Sequence, residues 1–121
     1  MPLAENITHF YEPTSLSCGQ TVLAMLLGLT PQNVCEQLGK YNELTLKEIF
    51  DVLEKNGVKV SDIKQTATKK EILPKIALLS IKTPFCWHWS LYCNGKFLDP
   101  EYGVLNDFPP YEKCFFWEIE K

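Results

Sequence analysis

Five cysteines and two histidines are the residues of this chain best equipped for nucleophilic chemistry. One cysteine stands apart. Cys18 follows the turn-forming, hydroxyl-rich stretch Pro13-Thr14-Ser15-Leu16-Ser17 and precedes an apolar run, Thr21-Val22-Leu23-Ala24-Met25-Leu26-Leu27. That order predicts a thiol at the N-terminus of a buried helix. Unpaired helix N–H groups and the positive end of the helix dipole favour a thiolate there. A thiolate with a base beside it is a nucleophile.

The base on offer is His88, in Cys86-Trp87-His88-Trp89-Ser90-Leu91-Tyr92-Cys93. On a strand, alternation puts Trp87, Trp89, Leu91 and Cys93 on one face, which suits a core. Cys86, His88, Ser90 and Tyr92 take the other face. Asn94-Gly95 follows at once and predicts a two-residue hairpin loop. Cys93 then pairs with Lys96, Tyr92 with Phe97, Leu91 with Leu98 and Ser90 with Asp99. Paired residues share a face, so Asp99 lies on the face of His88, one diagonal step of about 7–8 Å away. Glu101 is formally opposite His88 and competes as an orienting carboxylate, but Pro100 breaks the pairing first. Cysteine, histidine and carboxylate together follow the logic of a nucleophilic triad.

The elements that must position these residues are legible in outline. The first helix runs from about Cys18 to Leu27 and stops at Gly28. Thr30-Pro31 caps and opens a second helix, ended by Gly39. Thr45-Leu46-Lys47-Glu48 is a capping box for a third, with Leu46, Ile49, Phe50 and Leu53 on one face and Asn56-Gly57 as the stop. Val58-Lys59-Val60 reads as a short strand, and Thr68 to Leu73 as a short capped helix closed by Pro74. Ile76 to Ile81, Phe85 to Cys93 and Cys114 to Ile119 read as strands. Helices first and strands second predict an α+β fold with a mostly antiparallel sheet. With 121 residues, one domain over 1–121 is expected.

Bulk properties exclude several classes. The net charge of −3 comes without a basic block, so no nucleic-acid footprint is present. The longest apolar run, Val22 to Leu27, is too short to span a membrane. No secretory signal is visible at the N-terminus, so the sequon Asn6-Ile7-Thr8 carries no weight. The odd cysteine count, without a CxxC pair, points to free thiols and a reducing, cytoplasmic setting.

Cys18-Gly19-x-Thr21-x-x-x-Met25 near the N-terminus, a late His88-Trp89 strand and Asp99-Pro100 together resemble the bacteriocin-processing, double-glycine leader peptidases and their stand-alone relatives. These are papain-like cysteine peptidases. The resemblance covers nearly the whole chain in element order, while its specific part is three short motifs. It implies a papain-like fold, with Cys18 as nucleophile, His88 as general base and acid, and Asp99 as orienter. The substrate it implies is a peptide or protein, and no cofactor or metal is required. The chain departs from the family where a glutamine normally donates to the oxyanion, six residues before the cysteine. Here that residue is Glu12. An ionised carboxylate repels an oxyanion, and such a donor is worth about 10²–10³ in rate. Either Glu12 is protonated there, or the oxyanion region draws on other donors: the backbone around Cys18 and Gly19, with Gln20 or Thr14. Ser17 stands where the bacteriocin-processing members tend to carry an acid, and no transporter segments follow.

Two rival readings keep the fold. One is deamidation of a protein glutamine, the same acyl chemistry with ammonia leaving, as in bacterial papain-like effectors. The other is a degenerate peptidase that binds a peptide without cleaving it. Cys35, Cys93 and Cys114 read as core thiols. Cys86 with His88 begins a zinc pair, but the spacing shows no two further ligands. The tryptophans and Phe115, Phe116 read as packing.

Overall fold

A computed structural model describes residues 7–120 of the chain. Asn6 of the sequon lies outside the described residues. Three α-helices come first: α1 (Cys18–Leu27), α2 (Pro31–Leu38) and α3 (Leu46–Lys55). Six strands follow: β1 (Gln65–Thr66), β2 (Ile76–Lys82), β3 (Trp87–Cys93), β4 (Lys96–Asp99), β5 (Gly103–Leu105) and β6 (Lys113–Glu118). They form one sheet in the order β1-β6-β2-β3-β4-β5, antiparallel at every pairing. The fold is α+β, with the helical segment before the sheet.

Local chemistry explains the helix ends. The Asn33 amide donates to the Thr30 hydroxyl over 3.1 Å, and Pro31 takes the first helical position. At α3 the Glu48 amide donates to Thr45 Oγ1 (3.2 Å), and the Thr45 amide donates back to Glu48 Oε1 (2.8 Å). The box closes as its spacing predicts. Among the described residues no helix is long and apolar enough to cross a membrane.

The sheet carries a core on each face. On one side Leu23 and Met25 of α1 and Ile49 and Leu53 of α3 pack against Leu78, Leu91, Leu98 and Trp117. On the other, Ala77, Leu79, Ile81, Tyr92, Phe97, Cys114 and Phe116 form a second cluster, covered by Leu105 of β5 and by Leu73 and Phe108 from connecting segments. This departs from the expected single core face of β3. Trp87, expected inside, is 53 % exposed, whereas the face of His88 and Ser90 is buried. Leu73, Leu105 and Phe108 bury the other side.

Two short elements differ from expectation. Val58–Val60 makes only one bridge, Val60 to Ile119, and no ladder. The stretch expected as a capped helix is a single 3-10 turn, Lys70–Ile72. Lys69, not a hydroxyl residue, occupies the capping position there, and no side chain caps the turn. The strands β1 and β5 were not foreseen; at two and three residues they are too short for a periodic pattern.

Candidate active site

The hairpin fixes the first half of the site. Asn94 and Gly95 both take positive φ, 48° and 86°, as a two-residue primed turn requires. The register is Cys93 to Lys96, Tyr92 to Phe97 and Leu91 to Leu98. The ladder stops there, but the next pair meets through its side chains. Ser90 Oγ donates to Asp99 Oδ2 over 2.8 Å, and His88 Nε2 donates to Asp99 Oδ1 over 2.9 Å. Asp99 is fully buried, and the amides of Glu101 and Tyr102 also donate to its Oδ1 (2.9 and 3.0 Å). Glu101, the rival orienter, therefore contributes its backbone and not its carboxylate.

Cys18 supplies the second half. It opens α1, where Ser17 makes no side-chain cap. The Ser17 hydroxyl instead donates to the Thr14 carbonyl (3.0 Å) and accepts from the Thr14 amide (3.1 Å). The first-turn amides of α1 thus keep their donors free of a capping side chain, as an anion site needs. Gly19 lets this turn approach the sheet. A Cβ there would lie 3.2 Å from Leu44 Cβ and 3.3 Å from Trp89 Cδ1. Trp89 in turn donates from Nε1 to the Leu44 carbonyl (3.0 Å) and from its amide to Cys18 Sγ (3.4 Å).

Cys18 and His88 meet at this junction. Cys18 Sγ, a ring nitrogen of His88 and a carboxylate oxygen of Glu12 all lie within 4.8 Å of one another. Nε2 is committed to Asp99, so Nδ1 is the nitrogen that faces the thiol. Burial disfavours the charged imidazole, yet hydrogen bonds and charges from Asp99 and Cys18 outweigh it and raise His88 to about 10. Burial likewise opposes the Asp99 carboxylate, but His88, the Tyr102 amide and Ser90 hold its pKa below the usual value.

Glu12 arrives by a route that spacing does not reveal. The lead-in segment lies across the turn after β4. His9 Nε2 donates to the Asp99 carbonyl (2.7 Å), and the Glu12 amide donates to the Pro100 carbonyl (2.9 Å). Burial raises the Glu12 carboxyl pKa, partly offset by His88, with Glu101 and Asp99 adding to the rise. Its Oε1 is buried without a hydrogen-bond partner. His9 had no role assigned from sequence; its being one of only two histidines was the sole signal.

Gln20, expected in the oxyanion region, commits its side-chain amide elsewhere: Nε2 donates to the carbonyls of Lys40 (3.1 Å) and Asn42 (2.8 Å) and pins the α2–α3 loop. Thr14 Oγ1 is engaged in the same turn as Ser17. Cys86, the other half of the zinc pair, is exposed and bonds to the Thr83 hydroxyl (3.8 Å).

A cleft of about 350 Å³ opens beside the thiol, lined by Cys18, His88, Leu44, Trp87, Trp89 and Phe115 among others. Ser80 is the small residue on its floor, paired with Trp89 on one side and Phe115 on the other. A larger hollow, about 480 Å³, lies at Gly57–Ser61 and Glu118. Neither Cys18 nor His88 lines it. Comparison with protein-family models, curated proteins and solved structures finds no match to this chain.

Proposed function

We propose that the protein is a papain-like thiol hydrolase acting on a peptide or amide bond. The observation that carries this reading is the approach of Cys18 Sγ to His88 within 4.8 Å, while buried Asp99 holds the far nitrogen of the ring. The Cys18 sulfur attacks the substrate carbonyl carbon, forming a C–S bond and an oxyanion. Backbone N–H groups at the start of α1 face that charge. His88 then gives its Nδ1 proton to the leaving nitrogen as the C–N bond breaks, leaving a thioester. Water attacks the thioester with His88 as base, the acid departs and the thiol is restored. Asp99 keeps the ring in one tautomer throughout.

The cleft beside Cys18 suits an extended peptide. The glutamine donor of the family pattern is absent, and the Glu12 carboxylate does not replace it. The proposed enzyme therefore works with backbone donors and at reduced rate. Alkylation with iodoacetamide at about pH 6 tests the pair, read by mass spectrometry at each cysteine. Cys18 is expected to react faster than Cys86, although Cys18 is buried and Cys86 exposed. A Cys18 slower than Cys86, or unreactive, removes the hydrolase reading.

A further inference from the structure

We propose that Glu12, Cys18 and His88 are three ligands of an open site for a thiophilic divalent cation, zinc by preference, and that its occupancy withdraws the thiol from nucleophilic chemistry. The binding does not depend on the hydrolase reading; the silencing does.

The donor set is the first reason. Thiolate, imidazole and carboxylate are the protein ligands zinc takes, and a sulfur ligand disfavours magnesium and calcium. The second is distance. Bonds of about 2.0–2.3 Å in tetrahedral geometry put ligand atoms about 3.3–3.6 Å apart. The three donor atoms here already lie within 4.8 Å of one another, so closure needs shifts of side chains alone. The third is the surrounding support. A metal-bound histidine commonly donates its other ring N–H to a carboxylate. His88 does so to Asp99, which is itself held by Ser90 and two backbone amides.

Glu12 makes this site different from an ordinary cysteine–histidine pair. Its Oε1 is buried and has no hydrogen-bond partner, a cost that a structure seldom leaves unmet. Its backbone is fixed by the Pro100 carbonyl, so the ligand is already in place. A glutamine at this position is a neutral amide and a poor zinc ligand; the carboxylate completes the set. Charge supports the assignment as well. Thiolate and carboxylate together cancel the 2+ of the ion, leaving a neutral centre beside the aromatic wall of Trp87 and Trp89. Binding sends the proton of the Cys18–His88 pair to solvent and involves no redox step. The fourth coordination position is left for water or for a substrate oxygen.

The test is titration of the full-length protein with Co²⁺ and with Zn²⁺. One equivalent of Co²⁺ is expected to give tetrahedral visible bands and a thiolate-to-cobalt charge-transfer band, bleached by Zn²⁺. The band is expected to vanish in Cys18→Ser. It is expected to need at least about tenfold more metal in Glu12→Gln, since even outer-sphere changes cost about 10–100-fold. Cys86→Ser is expected to leave it unchanged. Zn²⁺ is also expected to protect Cys18 from iodoacetamide. Persistence of the band in Cys18→Ser, or unaltered affinity in Glu12→Gln, overturns the assignment. If metal fails to bind while Cys18 alkylates rapidly, the metal site falls and the thiol chemistry stands. If metal binds and no amide is ever cleaved, the silencing falls with the hydrolase reading and the site stands.

Discussion

Asp99 bears the most demanding prediction. Its carboxylate accepts from four donors: His88 Nε2, Ser90 Oγ and the amides of Glu101 and Tyr102. Asp99→Asn can keep the shape. The amide oxygen takes the three contacts at Oδ1, while the amide nitrogen donates to Ser90, whose hydroxyl turns to accept. What is lost is charge. A hydrogen bond to a charged group is worth about 1.5–3 kcal/mol and a neutral one about 0.5–1.5. The imidazolium partner therefore loses about 1–1.5 kcal/mol, or roughly tenfold in kcat/KM and in the alkylation rate of Cys18. Asp99→Ala is a different perturbation. Ser90 and His88 can turn, but the two backbone amides cannot and lose their acceptor at a part-buried site. At about 1–3 kcal/mol per stranded donor, the expected destabilisation is about 2–6 kcal/mol. At roughly 3–5 °C per kcal/mol for a chain of this size, Tm falls by on the order of 10 °C. Calorimetry and Cys18 alkylation on the same samples separate the two variants. Acid adds a further check. The Asp99 pKa is depressed in the fold, so its stabilisation is present above the unfolded value of about 3.9 and is lost as pH falls through the folded value. That acid-dependent loss is expected to shrink in Asp99→Asn. An alanine variant that melts with the wild type would falsify the four-donor account.

Three further outcomes are expected. Glu12→Gln removes a carboxylate facing the oxyanion and supplies an amide donor, so amide hydrolysis is expected to rise by about 10²–10³-fold; a fall in kcat/KM contradicts this placement. Gly103 has φ 91°, and a Cβ there would lie 2.7 Å from Tyr11 Oη. The hydroxyl ends an exposed side chain that can swing aside, so the backbone sets the cost of Gly103→Ala at about 1–3 kcal/mol. Adding Tyr11→Ala is expected to recover little of it in urea unfolding, and full recovery refutes the backbone origin. The Cys114 thiol is pushed up to about 12 by burial, so iodoacetamide at about pH 8 is expected to spare it in the native protein and modify it after denaturation; rapid native labelling contradicts its burial.

The hairpin was legible because its determinants are local. Asn94-Gly95 admits few loop geometries, and one loop length fixes which side chains share a face. The same holds for α1 to α3, where Thr30, Thr45 and Glu48 bond to groups within three residues. What escaped depends on distant partners. Alternation along β3 is symmetric between its faces, and both carry apolar residues. Distant packing decides the outcome: Trp89 joins the helix-side cluster, Trp87 on the same face stays in water, and Phe108 helps to cover the other face. Glu12 reaches Cys18 through a backbone bond to Pro100, which no spacing encodes. Gln20 looked like a site residue from its place beside the thiol, but about half a turn of helix aims its side chain at the loop instead.

The seam between the lead-in and the hairpin has a consequence for timing. His9 and Asp99 are separated by 90 positions, and Cys18 and Trp89 by 71. At about 5–20 residues per second, a ribosome delivers the thiol roughly 4–14 s before the strand that carries its base. During that interval Cys18 is an ordinary cysteine on a nascent chain, without imidazole or carboxylate. Pairings of such long separation also form late on the folding route. Cys18 can thus meet His88 and Asp99 only after the hairpin has been made, and the order of residues along the chain itself delays that meeting.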